Sequence, residues 1–126
     1  MQEYPIIPIA KPRMTRKDKW NPSNPAKRYF AYKRQLKRLG VSLPESGYHV
    51  VFVLPMPESW SKGKKKAYDG MPHQQTPDKD NLEKGLLDAL FGRDEHIWDG
   101  RVTKVWGREG KIMIGQIGDF SDLGCP

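Results

Sequence analysis

Apolar residues recur at helical spacing in two parts of the chain, and each part predicts a helix. Residues 26–39 place apolar side chains three or four positions apart and end before Gly40, a typical helix stop. Residues 79–91 repeat the pattern and leave Asp80 and Lys84 together on another face. The inner stripe of the first helix is expected to consist of Tyr29, Tyr32, Leu36 and Leu39.

Other segments carry the β-branched and aromatic residues that are typical of strands. Residues 48–54 give the clearest strand, and residues 4–9 predict an edge strand because two prolines interrupt them. Residues 101–106 and 111–117 predict two further strands, joined as a hairpin by residues 107–110. Together these elements predict an α+β fold, a small mostly antiparallel sheet packed with two main helices.

Composition is consistent with one domain spanning residues 1–126. Apolar residues make up 37% of the chain and charged residues 29%. No stretch approaches the roughly 18 consecutive apolar residues of a membrane helix, and the start of the chain does not read as a signal peptide. The one cysteine, Cys125, excludes an internal disulfide. We therefore expect a reducing compartment, the cytoplasm.

The positive charge is concentrated in the first third of the chain. Residues 1–40 hold eleven Lys or Arg against two acids, whereas residues 41–126 hold eleven against thirteen, within a net charge of +7. This asymmetry is typical of a polyanion-binding face with an acidic site elsewhere. A basic surface that serves only solubility explains the charge alone equally well.

Three basic segments are candidates for contact with phosphates. Residues 11–27 are rich in Lys, Arg, Pro and Asn and predict a mobile arm, with Trp20 anchoring it to the core. The first helix carries six basic residues and no acidic residue between residues 27 and 38. A short helix capped by Ser59 carries four lysines. The expected DNA-binding residues are Lys11, Arg13, Arg16, Lys17, Lys19, Arg28, Lys62, Lys64, Lys65 and Lys66.

A pair of aspartates opens the second main helix and suggests metal chemistry. Asp78 and Asp80 follow Pro77 where unpaired helix N–H groups favour anions, and the loop after the helix brings back further acids. Magnesium accepts a few carboxylates because it keeps several of its waters. The alternative is purely structural: Asp80 and Glu83 have the spacing of a capping box, and Asp78 is then a turn residue.

The surrounding residues carry a more specific pattern. Pro77-Asp78-Lys79-Asp80-Asn81-Leu82 is followed by Lys84 and then by Leu87-Asp88-Ala89-Leu90. After the next loop, Asp99 stands just before a valine-led strand. This stretch resembles the RusA family of Holliday junction resolvases, which typically reads D-x-D-N-L-x-K, then D-A-L, then an acid before such a strand.

The resemblance implies a role for each matching residue. Asp78, Asp80 and Asp99 would hold Mg²⁺, with Mn²⁺ as an expected substitute, and Lys84 would assist catalysis at the scissile phosphate. Family members often carry two adjacent acids at the third position, where this chain has Trp98 before Asp99. Two acids a few residues upstream, Asp94 and Glu95, are therefore alternative third ligands.

By the same resemblance, the protein would be a homodimeric, magnesium-dependent endodeoxyribonuclease. Its substrate would be branched DNA, four-way junctions resolved by paired symmetric nicks during recombination and repair. Two other functions fit the same surfaces. One is a non-catalytic binder of junctions or duplexes whose acids only cap a helix, and the other is a metal-dependent nuclease without junction preference.

Overall fold

The computed structural model describes residues 1–120, in which four strands form one mixed sheet and three α-helices flank it. Cys125 lies outside the described residues. The strands are β1 (Gln2–Tyr4), β2 (Ser46–Pro55), β3 (Asp99–Gly107) and β4 (Lys111–Gln116). The helices are α1 (Asn24–Arg38), α2 (Lys62–Tyr68) and α3 (Lys79–Leu90), with a 3-10 helix at Arg16–Lys19. The α+β class and the two main helices are as predicted.

Helix α1 begins and ends at local signals in the sequence. The Ser23 hydroxyl accepts a hydrogen bond from the backbone N–H of Ala26 at 3.4 Å, and a proline occupies the first turn. At the other end, Gly40 has a φ of 67°, a left-handed conformation that glycine adopts without strain. The buried face of α1 consists of Ala26, Tyr29, Tyr32 and Leu36, with Leu39 partly buried.

Strand β2 lies between two neighbours and forms the centre of the molecule. It pairs with β3 in parallel and with β4 antiparallel, giving the order β1-β4-β2-β3. Seven consecutive residues, 48–54, are buried because both faces of the strand are covered. Alternate side chains point to opposite faces. Tyr48, Val50, Phe52 and Leu54 pack toward α1 and α3, and Val51 and Val53 join the core on the other face.

The predicted hairpin between residues 101–106 and 111–117 is wrong. Strands β3 and β4 follow each other in sequence, but β2 lies between them in the sheet. The longest pairing is the parallel one between β2 and β3, so the sheet is mixed rather than mostly antiparallel. The turn residues at 107–110 reverse the chain without specifying which strand it pairs with next.

Several local predictions also require correction. The edge strand β1 covers residues 2–4 rather than 4–9, and the buried Ile6 follows it outside any strand. Helix α2 is capped by Ser61, whose hydroxyl accepts from the N–H of Lys64 at 3.1 Å, not by Ser59. Trp20 does not anchor the arm, because its side chain is 84% exposed. The arm is instead folded around the buried Asp18.

Among residues 1–120, the helices are too short and too polar for any of them to cross a bilayer.

Candidate active site at the start of α3

The two aspartates of the motif lie side by side at the beginning of α3. Asp78 is the N-cap residue, with an extended backbone (φ −67°, ψ 147°), and Asp80 lies in the first turn. Both side chains are exposed, and the Asp78 carboxylate makes no capping hydrogen bond. The predicted capping box at Asp80 is wrong because the helix already begins at Lys79. Capping therefore does not account for either acid.

Lys104, in the middle of β3, holds the segment that leads into this helix. Its ammonium donates hydrogen bonds to the carbonyl oxygens of Gln75 at 2.6 Å and Pro77 at 2.8 Å. Burial lowers the pKa of Lys104, and the nearby negative charge of Asp78 opposes that shift. Sequence reasoning missed this residue. The signal was a lysine alternating with Val102 and Trp106 along the predicted strand.

The loop before the motif is also paired to β3. Backbone hydrogen bonds join Gly70 and Met71 to Trp106, and join the N–H of His73 to the carbonyl of Lys104 at 3.0 Å. The His73 ring is buried and lies 4.1 Å from the ring of Trp106, centroid to centroid. Burial lowers the pKa of His73, and the charge of Lys104 lowers it further. His73 is thus a packed loop residue.

Asp99 stands at the first position of β3, beside a second group of acids. With Glu83 of α3 and Asp94 of the preceding loop, it lines a pocket of about 310 Å³. The hydroxyl of Tyr48, at the base of this pocket, donates to Oε2 of Glu83 at 2.6 Å. Burial raises the pKa of Tyr48, and the hydrogen bond to Glu83 raises it further. The sequence singled out Glu83 only as half of a capping box, not as a component of this pocket.

The carboxylates are not assembled into one tight cluster. Within residues 1–120, no three His, Cys, Asp or Glu side chains lie close enough together to hold a metal ion. Asp78 and Asp80 nevertheless fit magnesium, because one or two carboxylates, several waters and substrate phosphates form its usual shell. Asp99 as the third ligand stays a prediction. Of its two alternatives, Asp94 lines the same pocket, whereas the Glu95 carboxylate lies 3.8 Å from the guanidinium of Arg93.

Lys84 follows Asp80 by one helical turn and is exposed. Four residues further along the same face, Asp88 forms an ion pair with Lys11 of the arm. Asp88 thus has a structural partner in the arm. The pair ties the basic arm to the helix that begins the candidate site.

The predicted DNA-binding residues lie mostly on the surface. Lys65 is half-buried, and Lys64 lies over the ring of Trp60 at 4.2 Å from its centroid. Lys11 is partly buried by its pairing with Asp88. The side chains that remain exposed are Arg13, Arg16, Lys17, Lys19, Arg28, Lys62, Lys64 and Lys66.

Comparison with known proteins gives a family but no individual relative. The family described as Endodeoxyribonuclease RusA matches residues 3–115, nearly the whole chain. No curated protein and no solved structure gives a significant match. The match extends the resemblance from the motif around α3 to every strand and helix except the first residue of β1 and the last residue of β4. This chain therefore belongs to the RusA family of endodeoxyribonucleases.

Proposed function

We propose that this protein is a magnesium-dependent, structure-specific endodeoxyribonuclease that resolves four-way DNA junctions by paired symmetric nicks. The observation that carries the proposal is the pair of exposed carboxylates, Asp78 and Asp80, at the start of α3 in a chain of this family. Neither carboxylate is explained by capping, and Lys84 lies one turn away. Such a pair is costly in isolation, since like charges repel, and is stabilised by a cation between them.

Asp78 and Asp80 would hold the magnesium ion, and Asp99 remains the proposed third ligand. When bound, magnesium activates a water nucleophile and stabilises charge on the phosphate. The chain's own contribution is to hold the two aspartates in position. Lys104 holds the carbonyl of Pro77, one residue before Asp78, and the first turn of α3 fixes Asp80 relative to Asp78. The Lys84 ammonium would bind a phosphate oxygen as negative charge develops there.

A homodimer suits this reaction because a four-way junction offers two equivalent strands to cut. A twofold dimer supplies two identical sites related by the same symmetry as the junction. The exposed Lys and Arg side chains of the arm, α1 and α2 would contact the phosphates. The affinity for DNA would then fall as the salt concentration rises.

A cleavage assay on a labelled four-way junction tests the proposal. Wild type and Asp80→Asn are compared with and without magnesium, with a linear duplex as the second substrate. Asparagine keeps the shape of the side chain and removes its charge. We expect paired symmetric nicks in the junction, little cleavage of the linear duplex, and loss of nicking but not of binding in Asp80→Asn.

Glu109→Gln is the matched control, since it removes an exposed carboxylate from the connection between β3 and β4. It should nick junctions as wild type does. Junction binding without nicks under any divalent metal would make the protein a binding module. Equal cleavage of both substrates would make it a nuclease without junction preference.

A further inference from the structure

A cavity of about 580 Å³ opens beside the candidate active site, on the face of α3 that carries Lys84. Its walls come from the arm, from α1 and from α3. The volume falls within the roughly 300–1,000 Å³ that is typical of small-ligand sites. The catalytic roles proposed above account for only one of its lining residues, Lys84.

Tertiary contacts hold these walls in place. The N–H of Lys11 donates to the carbonyl of Asn81 in α3 at 3.1 Å, and the Tyr29 hydroxyl of α1 donates to the carbonyl of Gly85 at 2.8 Å. The arm crosses α3 so closely that a Cβ at Gly85 would lie 2.9 Å from the backbone oxygen of Ile9. The cavity is thus built by three elements bonded to one another.

Positive charge in the cavity exceeds the charge that its own acids neutralise. Of the two acids lining it, Asp88 is paired with Lys11. Asp18 accepts hydrogen bonds from the N–H groups of Ser23 and Thr15 at 2.9 and 3.0 Å, which lower its pKa. No carboxylate in the described part of the chain forms an ion pair with the three remaining lysines of the lining, Lys19, Lys33 and Lys84.

Apart from Thr15, the rest of the lining is largely apolar. Met14 and Phe30 are half-buried in the wall, and the ring of Tyr29 lies beneath Lys33, whose ammonium is 6.0 Å from the ring centroid. A ligand that matches this surface combines an anionic group for the lysines with a flat apolar group for Met14 and Phe30. A nucleotide has both, in its phosphate and its base.

We propose that this cavity holds one unstacked nucleotide of the cleaved strand at the branch point, and that this capture favours junctions over linear duplex. The inference rests on the proposed function. Lys84 links the two sites, because it lines the cavity and lies one turn from Asp80, about 5–6 Å between Cβ atoms. A nucleotide held there is next to the phosphate that is cut.

The preference follows from the cost of taking a base out of the stack. In a continuous duplex, each base is paired and stacked on both sides, so the cavity receives it only after that energy is spent. The cost is lowest where pairing or stacking is already interrupted. A branch point supplies such an interruption, and a mismatch placed there lowers the cost further.

The test compares binding of a fully paired junction with that of the same junction carrying one mismatch at the branch on the cleaved strand. Calcium replaces magnesium so that binding is measured without cleavage. Wild type should bind the mismatched junction about tenfold more tightly, since unstacking is cheapest for a mismatched base. Gly92→Trp should lose this difference by filling the cavity mouth, and Gly92→Ala should keep it. A Cβ at Gly92 meets no atom within 4 Å.

Two matched lysine substitutions give a second measurement. This measurement also tests the proposal if Gly92→Trp fails to fold. Lys33→Gln should reduce the mismatch preference severalfold. Lys37→Gln removes the same charge one turn further along α1, outside the cavity lining, and should leave the mismatch preference unchanged whatever it does to overall affinity. Equal affinity of wild type for the two junctions overturns the proposal, and so does a preference that survives both Gly92→Trp and Lys33→Gln.

The two proposals fail separately. If the protein prefers the mismatched junction but makes no nicks in magnesium, the nuclease function fails and the proposal of nucleotide binding in the cavity stands. If wild type makes symmetric nicks but binds both junctions equally, the proposal of nucleotide binding in the cavity fails and the nuclease function stands.

Discussion

The side chain of Lys104 is joined to the backbone of Pro77 by a hydrogen bond of 2.8 Å from its ammonium to the carbonyl oxygen. This bond connects the middle of β3 to the residue before Asp78. The same ammonium donates to the carbonyl of Gln75. The conformation of the acidic turn is therefore set by a residue far along the sequence, as well as by the motif itself.

Replacing Lys104 by methionine should impair cleavage while sparing the fold. The apolar stem is kept, but the carbonyls of Gln75 and Pro77 lose their donor, so Asp78 is no longer held in position. We expect a loss of about 10- to 100-fold in activity or metal affinity, as for other supporting residues of metal sites. Titrating magnesium in the junction assay measures it. Lys111→Met, which removes an exposed ion pair with Glu3, is the control. Equal effects of the two substitutions would show that Lys104 does not position the site.

Gly100→Ala should destabilise the protein through a steric conflict with Tyr48. A Cβ at residue 100 would lie 2.1 to 2.4 Å from three atoms of the Tyr48 ring, which is buried beneath the strand. The ring has to shift, and overpacking of this kind costs about 1–3 kcal/mol in the free energy of unfolding. Urea denaturation measures the change. Gly92→Ala, in open space, should stay within about 0.5 kcal/mol of wild type. Unchanged stability of Gly100→Ala would contradict the close contact.

Stability should fall as the pH is lowered through the titration range of histidine. Burial lowers the pKa of both His49 and His73 below the ordinary value of 6.5. The unfolded chain therefore binds these protons at a higher pH than the folded chain. The stabilisation is fully present above pH 6.5 and is lost as the pH falls through the lower, folded-state values.

Thermal unfolding between about pH 7.5 and 5.5 measures this dependence. His73→Gln should have a shallower slope than wild type, whatever its absolute stability. His96→Gln is the control, because this histidine is exposed. A His73→Gln slope equal to that of wild type would show that His73 does not titrate on unfolding.

The salt dependence of junction binding should distinguish basic side chains that are in ion pairs within the protein from those that are not. Each phosphate contact contributes a slope of about 0.9 to the fall of log affinity with log salt concentration. Arg16→Ala removes an exposed charge and should reduce the slope by about 1. Lys11→Ala should leave it nearly unchanged, because the Lys11 ammonium is already paired with Asp88. Fluorescence anisotropy at several salt concentrations gives both slopes, and a Lys11→Ala slope reduced as much as that of Arg16→Ala would contradict this assignment.

The sequence predicted what local patterns determine. The two main helices lie within two residues of their predicted bounds because apolar periodicity and stop signals agree there. The strand at 48–54 was equally clear from its β-branched and aromatic residues, but only the structure shows that both of its faces are covered. The exposed position of Asp78 and Asp80 at the start of α3 likewise followed from the pattern.

What the sequence did not predict depends on contacts between distant residues. A turn at 107–110 shows that the chain reverses, but the place of β2 between β3 and β4 depends on the packing of the whole sheet. Trp20 was expected inside because tryptophan is large and apolar, yet the buried residue of its segment is Asp18, whose hydrogen bonds compensate for the lost water. The role of Lys104 similarly requires knowing that β3 lies beside the acidic turn.

The central place of β2 also has a kinetic consequence. Amide protons of β2 are bonded to strands on both sides, so they exchange with solvent only when the whole sheet opens. The turn at Gln75–Asp78 depends instead on a few bonds to one lysine and one strand. We therefore expect its amides to exchange with solvent faster than those of β2. On this expectation, the acidic turn opens and closes many times within the lifetime of a single folded molecule.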